Sequence, residues 1–130
     1  MDASPVKQSL VEEHHLDIGK FTFYQNILVS EFKEGIHVTF ENAAFPIQLA
    51  QIAFGSENPI VYISNRTNSY SCDPVRYREV VELFPNFIAF AVVTKDKRRR
   101  MLAKLERFFI KKPIRVFNNM EDAIAWAEEQ

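Results

Sequence analysis

From Phe87 to Val93 the chain reads FIAFAVV, seven apolar residues with no polar break. A run this short and continuous reads as a β-strand covered on both faces, the situation of an inner strand in a parallel sheet layered with helices. Pro85-Asn86 closes off whatever precedes it, and Thr94 begins a polar stretch after it. One such strand obliges the chain to supply other strands beside it and helices above and below.

Those elements are legible on either side. Phe21 and Phe23 alternate with Lys20 and Thr22, and Ile27 to Phe32 follows after a Tyr24-Gln25-Asn26 turn, so the two runs predict a hairpin. Ile36-His37-Val38 extends the chain, and Thr39 is placed as the N-cap of a helix over Phe40–Phe54. That helix, FENAAFPIQLAQIAF, turns Phe40, Ala43, Ala44, Ile47 and Phe54 to a core. It also carries Phe45, Leu49 and Ile52 in other directions, so it is apolar nearly all round. Such a helix is covered on a second side, by the N-terminal arm, by a second copy in a homodimer, or by an apolar ligand. Ile60-Val61-Tyr62-Ile63 predicts a buried strand, and Asp73-Pro74 starts a helix with Tyr77, Val80, Val81 and Phe84 inward. After FIAFAVV, Thr94 is expected to cap a helix over about 95–110 with Met101, Leu102, Leu105, Phe108 and Phe109 inward. Pro113 to Phe117 is a last short strand. Asn118 with Glu121 resembles a capping box for a final helix with Met120, Ala123, Ile124 and Ala127 inward.

The order is ββαβαβαβα: an α/β fold with a mixed, largely parallel sheet of about five strands flanked by four helices. Residues 1–16 read as a flexible lead-in and 17–130 as a single domain, a length that buries a core without staples. One cysteine, Cys72, excludes an internal disulfide. The N-terminus lacks an apolar signal core and no window is apolar enough to span a membrane, so the default location is cytoplasmic.

Chemistry is sparser. Glycines stand only at 19, 35 and 55, which excludes a glycine-rich phosphate loop. No G-x-S-x-G elbow is present, and His14, His15 and His37 lie in segments with no evident route to a serine, so the chain is expected not to be an enzyme. His14-His15 are adjacent and point apart, with no Cys/His set to complete a metal site, and no cofactor is expected. Two surfaces stand out. The loop between the Ile60 strand and the Asp73 helix start carries Asn65, Arg66, Asn68, Ser69, Tyr70 and Ser71, donors suited to a protein partner or an anion. From Lys95 to Arg115 ten basic residues face only Asp96 and Glu106. Their densest part, Lys97, Arg98, Arg99 and Arg100, sits at a helix N-terminus, where the macrodipole disfavours cations. That run is either a solvated face balanced by the acidic C-terminal helix or a surface for a negatively charged partner. Nucleic acid is the weaker candidate, since exposed aromatics are not interleaved with the cations.

The PIVYIS strand, the FIAFAVVT strand and the ending IRVFNNMEDAIAWAEE, in this element order, resemble the STAS superfamily and its SpoIIAA-like branch over about residues 18–130. The resemblance implies a non-enzymatic regulatory module that binds a protein partner, as in anti-sigma-factor antagonists. It places the regulatory loop, with its phosphoacceptor serine, at Ser69, Tyr70, Ser71, Cys72 and Asp73. The family's Asp-Ser-(Ser/Thr)-Gly-Leu junction is replaced here by Asp73-Pro74-Val75. Related SpoIIAA-like and SEC14-like proteins imply the alternative, a carrier or sensor of an apolar small molecule or lipid, held beside Phe45, Leu49 and Ile52.

Overall fold

The computed structural model describes residues 10–72, 79–108 and 110–130. Its chain order is β1 (Leu10–Leu16), β2 (Gly19–Tyr24), β3 (Ile27–Phe32), β4 (His37–Val38), α1 (Phe40–Phe54), β5 (Ile60–Asn65) and β6 (Ser71–Cys72). Helical residues 79–82 follow, then β7 (Phe87–Val93), α2 (Lys97–Leu105), a 3-10 turn at Glu106–Phe108, β8 (Ile114–Phe117) and α3 (Met120–Glu128). Six strands form one sheet in the order β1-β2-β3-β5-β7-β8, and β4 pairs with β6 outside it. β1, β2 and β3 run antiparallel; β3, β5, β7 and β8 run parallel.

Because each parallel step moves the same way across the sheet, right-handed crossovers put the connecting helices on one face. There α1, residues 79–82 and α2 pack on Phe21, Phe23, Leu28, Ile60, Phe87, Phe90 and Val92. The other face is covered by α3, whose Ala123, Ile124 and Ala127 meet Val29, Val61, Ile63, Ala89 and Ala91. The mixed, largely parallel sheet between helices is the architecture the sequence predicts, with FIAFAVV as an inner strand.

Several details differ. Of the flexible lead-in expected over residues 1–16, residues 1–9 lie outside the described residues, and Leu10–Leu16 is instead an edge strand paired along β2 from Tyr24 to Gly19. Its charged residues hid it, although Glu and His on an edge strand guard against wrong pairing. Gly19 is fixed by close approach, since a Cβ there would lie 2.3 Å from the Glu31 carbonyl oxygen. Thr39 caps α1 as expected, in a capping box with Asn42, and Gly55 ends it at φ 67°. The α2 cap is Asp96 rather than Thr94; its carboxylate accepts from Arg99 N at 2.9 Å, and its charge offsets the cations that follow. The α3 cap is Asn119, accepting from Asp122 N, while Asn118 accepts from Arg100 instead. The expected cap Asp73, the helix start at Pro74, Tyr77 and Phe109 lie outside the described residues.

The largest departure is α2. Met101, Leu102, Leu105 and Phe108, expected inward, are 70%, 55%, 51% and 67% exposed. The helix instead buries Ala103, which packs with Phe90 and Val92. A small residue permits close approach to the sheet, and Glu106 one turn on fixes the rotation by reaching Arg66.

Candidate functional site

The loop after β5 is bound to its surroundings at nearly every residue. Arg66 N donates to Val93 O at 2.8 Å. Its guanidinium donates to Ser64 Oγ at 3.0 Å and meets both carboxylate oxygens of Glu106 at 2.8 and 2.9 Å. The two side chains are 12% and 9% exposed, so the guanidinium expected to offer donors to an anion is committed inside. Asn65 ends β5, and among the described residues its Oδ1 is buried without a hydrogen-bond partner. Asn68 donates to Phe32 O, and Ser69 N to Glu34 Oε2. Gly35 N donates to Ser69 O, and Ser71 N to Ile36 O. Segments 31–38 and 67–72 are thus zipped together, ending in the parallel pairs His37↔Ser71 and Val38↔Cys72.

This zipper supplies the route that sequence reasoning missed: His37 Nδ1 lies 2.7 Å from Ser71 Oγ. A separation of 34 residues gives no sequence signal; the parallel pairing makes the contact. Both side chains are exposed. Their strand neighbours Val38 and Cys72 turn the other way, because side chains alternate along a strand. Among the described residues no acid holds the far ring nitrogen as the orienting acid of a catalytic triad does.

Behind the zipper lies an apolar cavity of about 100 Å³. Its floor is Phe21, Leu28, Phe32, Tyr62, Phe87 and Phe90 from the sheet. One wall is the inner side of α1, Ala43, Pro46, Ile47 and Ala50; another is Val80, Val81 and Phe84. Val38, Tyr70 and Cys72 close the zipper side. Phe45 and Ile52 do not line it; they are 57% and 82% exposed on the opposite side of α1, and Leu49 is half-buried against the core. The turn of helix that presents Ala43, Pro46 and Ala50 to the sheet carries Phe45 and Ile52 away from it.

A few hydroxyls converge on this floor. Tyr62, stacked on Phe90 at 4.9 Å, shares a 2.5 Å hydrogen bond with Ser30. Tyr70 packs on Phe32 and reaches Ser64 Oγ at 3.1 Å. Burial, reinforced by neighbouring Tyr70, pushes the Tyr62 phenol above its ordinary range and keeps it protonated. Ser64 links this hydroxyl pair to Arg66 and through it to Glu106. Among the described residues no cluster of His, Cys, Asp or Glu has metal-binding geometry.

The basic run divides. Lys97 and Arg98 are exposed, Arg99 is half-buried, and Arg100 is held by Thr94 O and Asn118 Oδ1. Exposed Met101, Leu102, Leu105 and Phe108 stand among these cations, and Arg107 lies over the Phe108 ring at 5.3 Å. Among the described residues no helix is long and apolar enough to cross a membrane.

Residues 66–128 match the SpoIIAA-like family model. No curated protein matches the chain. A crystal structure of an uncharacterized protein of the DUF3478 family with a SpoIIAA-like fold, from Shewanella loihica, superposes with a TM-score of 0.57 at 10% identity, covering 98% of each chain. At that identity the likeness is one of fold.

Proposed function

We propose that this SpoIIAA-like domain of the STAS type is a non-enzymatic binding module whose ligand is a small apolar molecule carrying one hydrogen-bonding group. The cavity carries the reading: its walls are apolar except for Thr39, Cys72 and the tyrosines Tyr62 and Tyr70. Its volume of about 100 Å³ sets the ligand's size. Ligand pockets for drug-sized molecules run to roughly 300–1,000 Å³, whereas an engineered cavity of roughly 150 Å³ takes benzene. The volume lies nearer the smaller of these, which favours a single-ring ligand over a drug-sized one. Titration with p-cresol, followed by the ligand's own NMR signals, tests this. Saturable binding to the wild type, abolished by Ala43→Leu in a folded protein, is the expected result. Wild type that binds no p-cresol, with nothing retained in native mass spectrometry, rules it out.

A second reading has its own observation. The exposed ridge of Met101, Leu102, Leu105 and Phe108 is the kind of apolar surface that marks a protein interface. Arg98 and Arg107 among these side chains favour a partner whose carboxylates flank an apolar groove. This moves the partner surface from the loop to α2. Self-association through the outer side of α1, by Phe45 and Ile52, remains a separate proposal, which sedimentation decides: a strict monomer at high concentration removes it.

A further inference from the structure

Two pairs of hydroxyls lie side by side under the aromatic floor. Ser30 and Ser64 are register partners on β3 and β5, 0% and 2% exposed, and neither lines the cavity. Each is bonded to a tyrosine that does line it: Ser30 Oγ to Tyr62 at 2.5 Å, and Ser64 Oγ to Tyr70 at 3.1 Å. Ser64 Oγ also accepts from Arg66 Nε at 3.0 Å.

The direction of each bond follows from counting protons, since a hydroxyl has one to donate and two lone pairs to accept with. Ser30 is sealed, and among the described residues the partner of its hydroxyl is Tyr62. If Tyr62 donated, the Ser30 proton would be buried unpaired at the full cost of its desolvation, so Ser30 donates to Tyr62. At Ser64 the Arg66 N–H takes one lone pair, and the serine proton is left the Tyr70 oxygen to meet. Both phenol protons are then spare, and both belong to residues of the cavity wall. A guanidinium heads the second chain, and hydrogen bonds in series polarise one another, which strengthens Tyr70 as a donor. Burial keeps the Tyr62 proton in place. Among the described residues no charged side chain lines the cavity, so an ion would be buried there without a partner.

We propose that the cavity selects a neutral single-ring ligand whose polar atom accepts hydrogen bonds and carries no proton of its own, such as a carbonyl oxygen or a nitrile nitrogen. Tyr62 donates to it from the floor, and Tyr70 offers a second proton on the zipper side. This deepens the cavity reading and rests on it. A phenol such as p-cresol still enters, but it brings a proton to a site already supplied with two.

The probe is benzonitrile, set against ethynylbenzene, which has the same shape and no lone pair. Tyr62→Phe should weaken benzonitrile roughly 5-fold or more and leave ethynylbenzene unchanged. The nitrile stretch of bound benzonitrile should lie at higher wavenumber than in an aprotic solvent, and fall back in Tyr62→Phe. Benzonitrile that binds both proteins equally, with an unshifted stretch, overturns the proposal, while binding of p-cresol in the same protein keeps the cavity reading. If wild type binds none of the three, the cavity reading falls and takes the proposal with it. The proton count has its own check by NMR, without ligand. The Ser30 hydroxyl proton, slowed in exchange by burial, should show contacts to the Tyr62 ring. A Tyr62 hydroxyl proton in contact with the Ser30 β-protons instead overturns the proposal even where p-cresol binds.

Discussion

The two faces of the sheet are packed in different ways. Against α3 the contacts are small and aliphatic: Ala89, Ala91, Ala123 and Ala127 let the helix lie close, and Val29, Val61, Ile63 and Ile124 fill between them. The opposite face is aromatic, with Phe21, Phe23, Phe54, Phe84, Phe87 and Phe90 around Tyr62. Rings meet at tilted and stacked angles, as Phe23–Phe54 at 51° and Phe84–Phe87 at 12° do, and flat groups at fixed angles leave space that methyl groups would fill. Close packing holds one face. The other holds a cavity, and depends on polar contacts at its rim to seat α2.

The strongest test of that contrast is Arg66→Leu. It leaves Glu106 buried without its guanidinium, and breaking a mostly buried pair from one side costs about 3 kcal/mol. Urea denaturation should show that loss, and the double variant Arg66→Leu/Glu106→Leu should recover most of it. If the double variant stays as unstable as the single, the ion pair is not what fixes the rotation of α2.

Paired substitutions compare the faces directly. Ala123→Leu on the close-packed face forces extra methylenes where Ala123 has no exposed surface, and overpacking costs roughly 1–3 kcal/mol. Ala43→Leu on the cavity face adds the same atoms into space, so its thermal midpoint should equal or exceed that of the wild type. Equal destabilisation by both would erase the distinction. Tyr62→Phe is smaller again. It removes the partner of fully buried Ser30, a loss of about 1 kcal/mol, and should weaken p-cresol binding while leaving the ring stack in place.

What the sequence made legible follows the same division. Period-two and period-3.6 apolar patterns located β2, β3, β5, β7 and the inward stripe of α3, because those residues are buried by the faces on which they repeat. Thr39 and Gly55 bounded α1 through local hydrogen bonding. The site was hidden because it is made by pairings distant in sequence: His37 with Ser71, Val38 with Cys72, Arg66 with Glu106. Edge strand β1 was obscured by charges suited to an edge. The orientation of α2 inverted the expectation, since Met101, Leu102, Leu105 and Phe108 form a good apolar stripe. The sequence pattern identifies a stripe without saying whether the sheet or a partner covers it, and here one alanine and one glutamate decide the matter.

That inversion makes the last prediction small in stability and informative about binding. Leu105→Ser/Phe108→Ser changes two side chains that already face solvent, so the folding free energy should move by no more than about 0.5 kcal/mol. The expected effect lies elsewhere: a photoreactive residue at 105 should crosslink a protein in cells where one at Glu57 does not, and Arg98→Glu should remove that crosslink by reversing a flanking charge. If instead Leu105→Ser/Phe108→Ser costs as much as Ala123→Leu, the ridge is packed in solution, and α2 lies on the sheet through the stripe that the sequence first suggested.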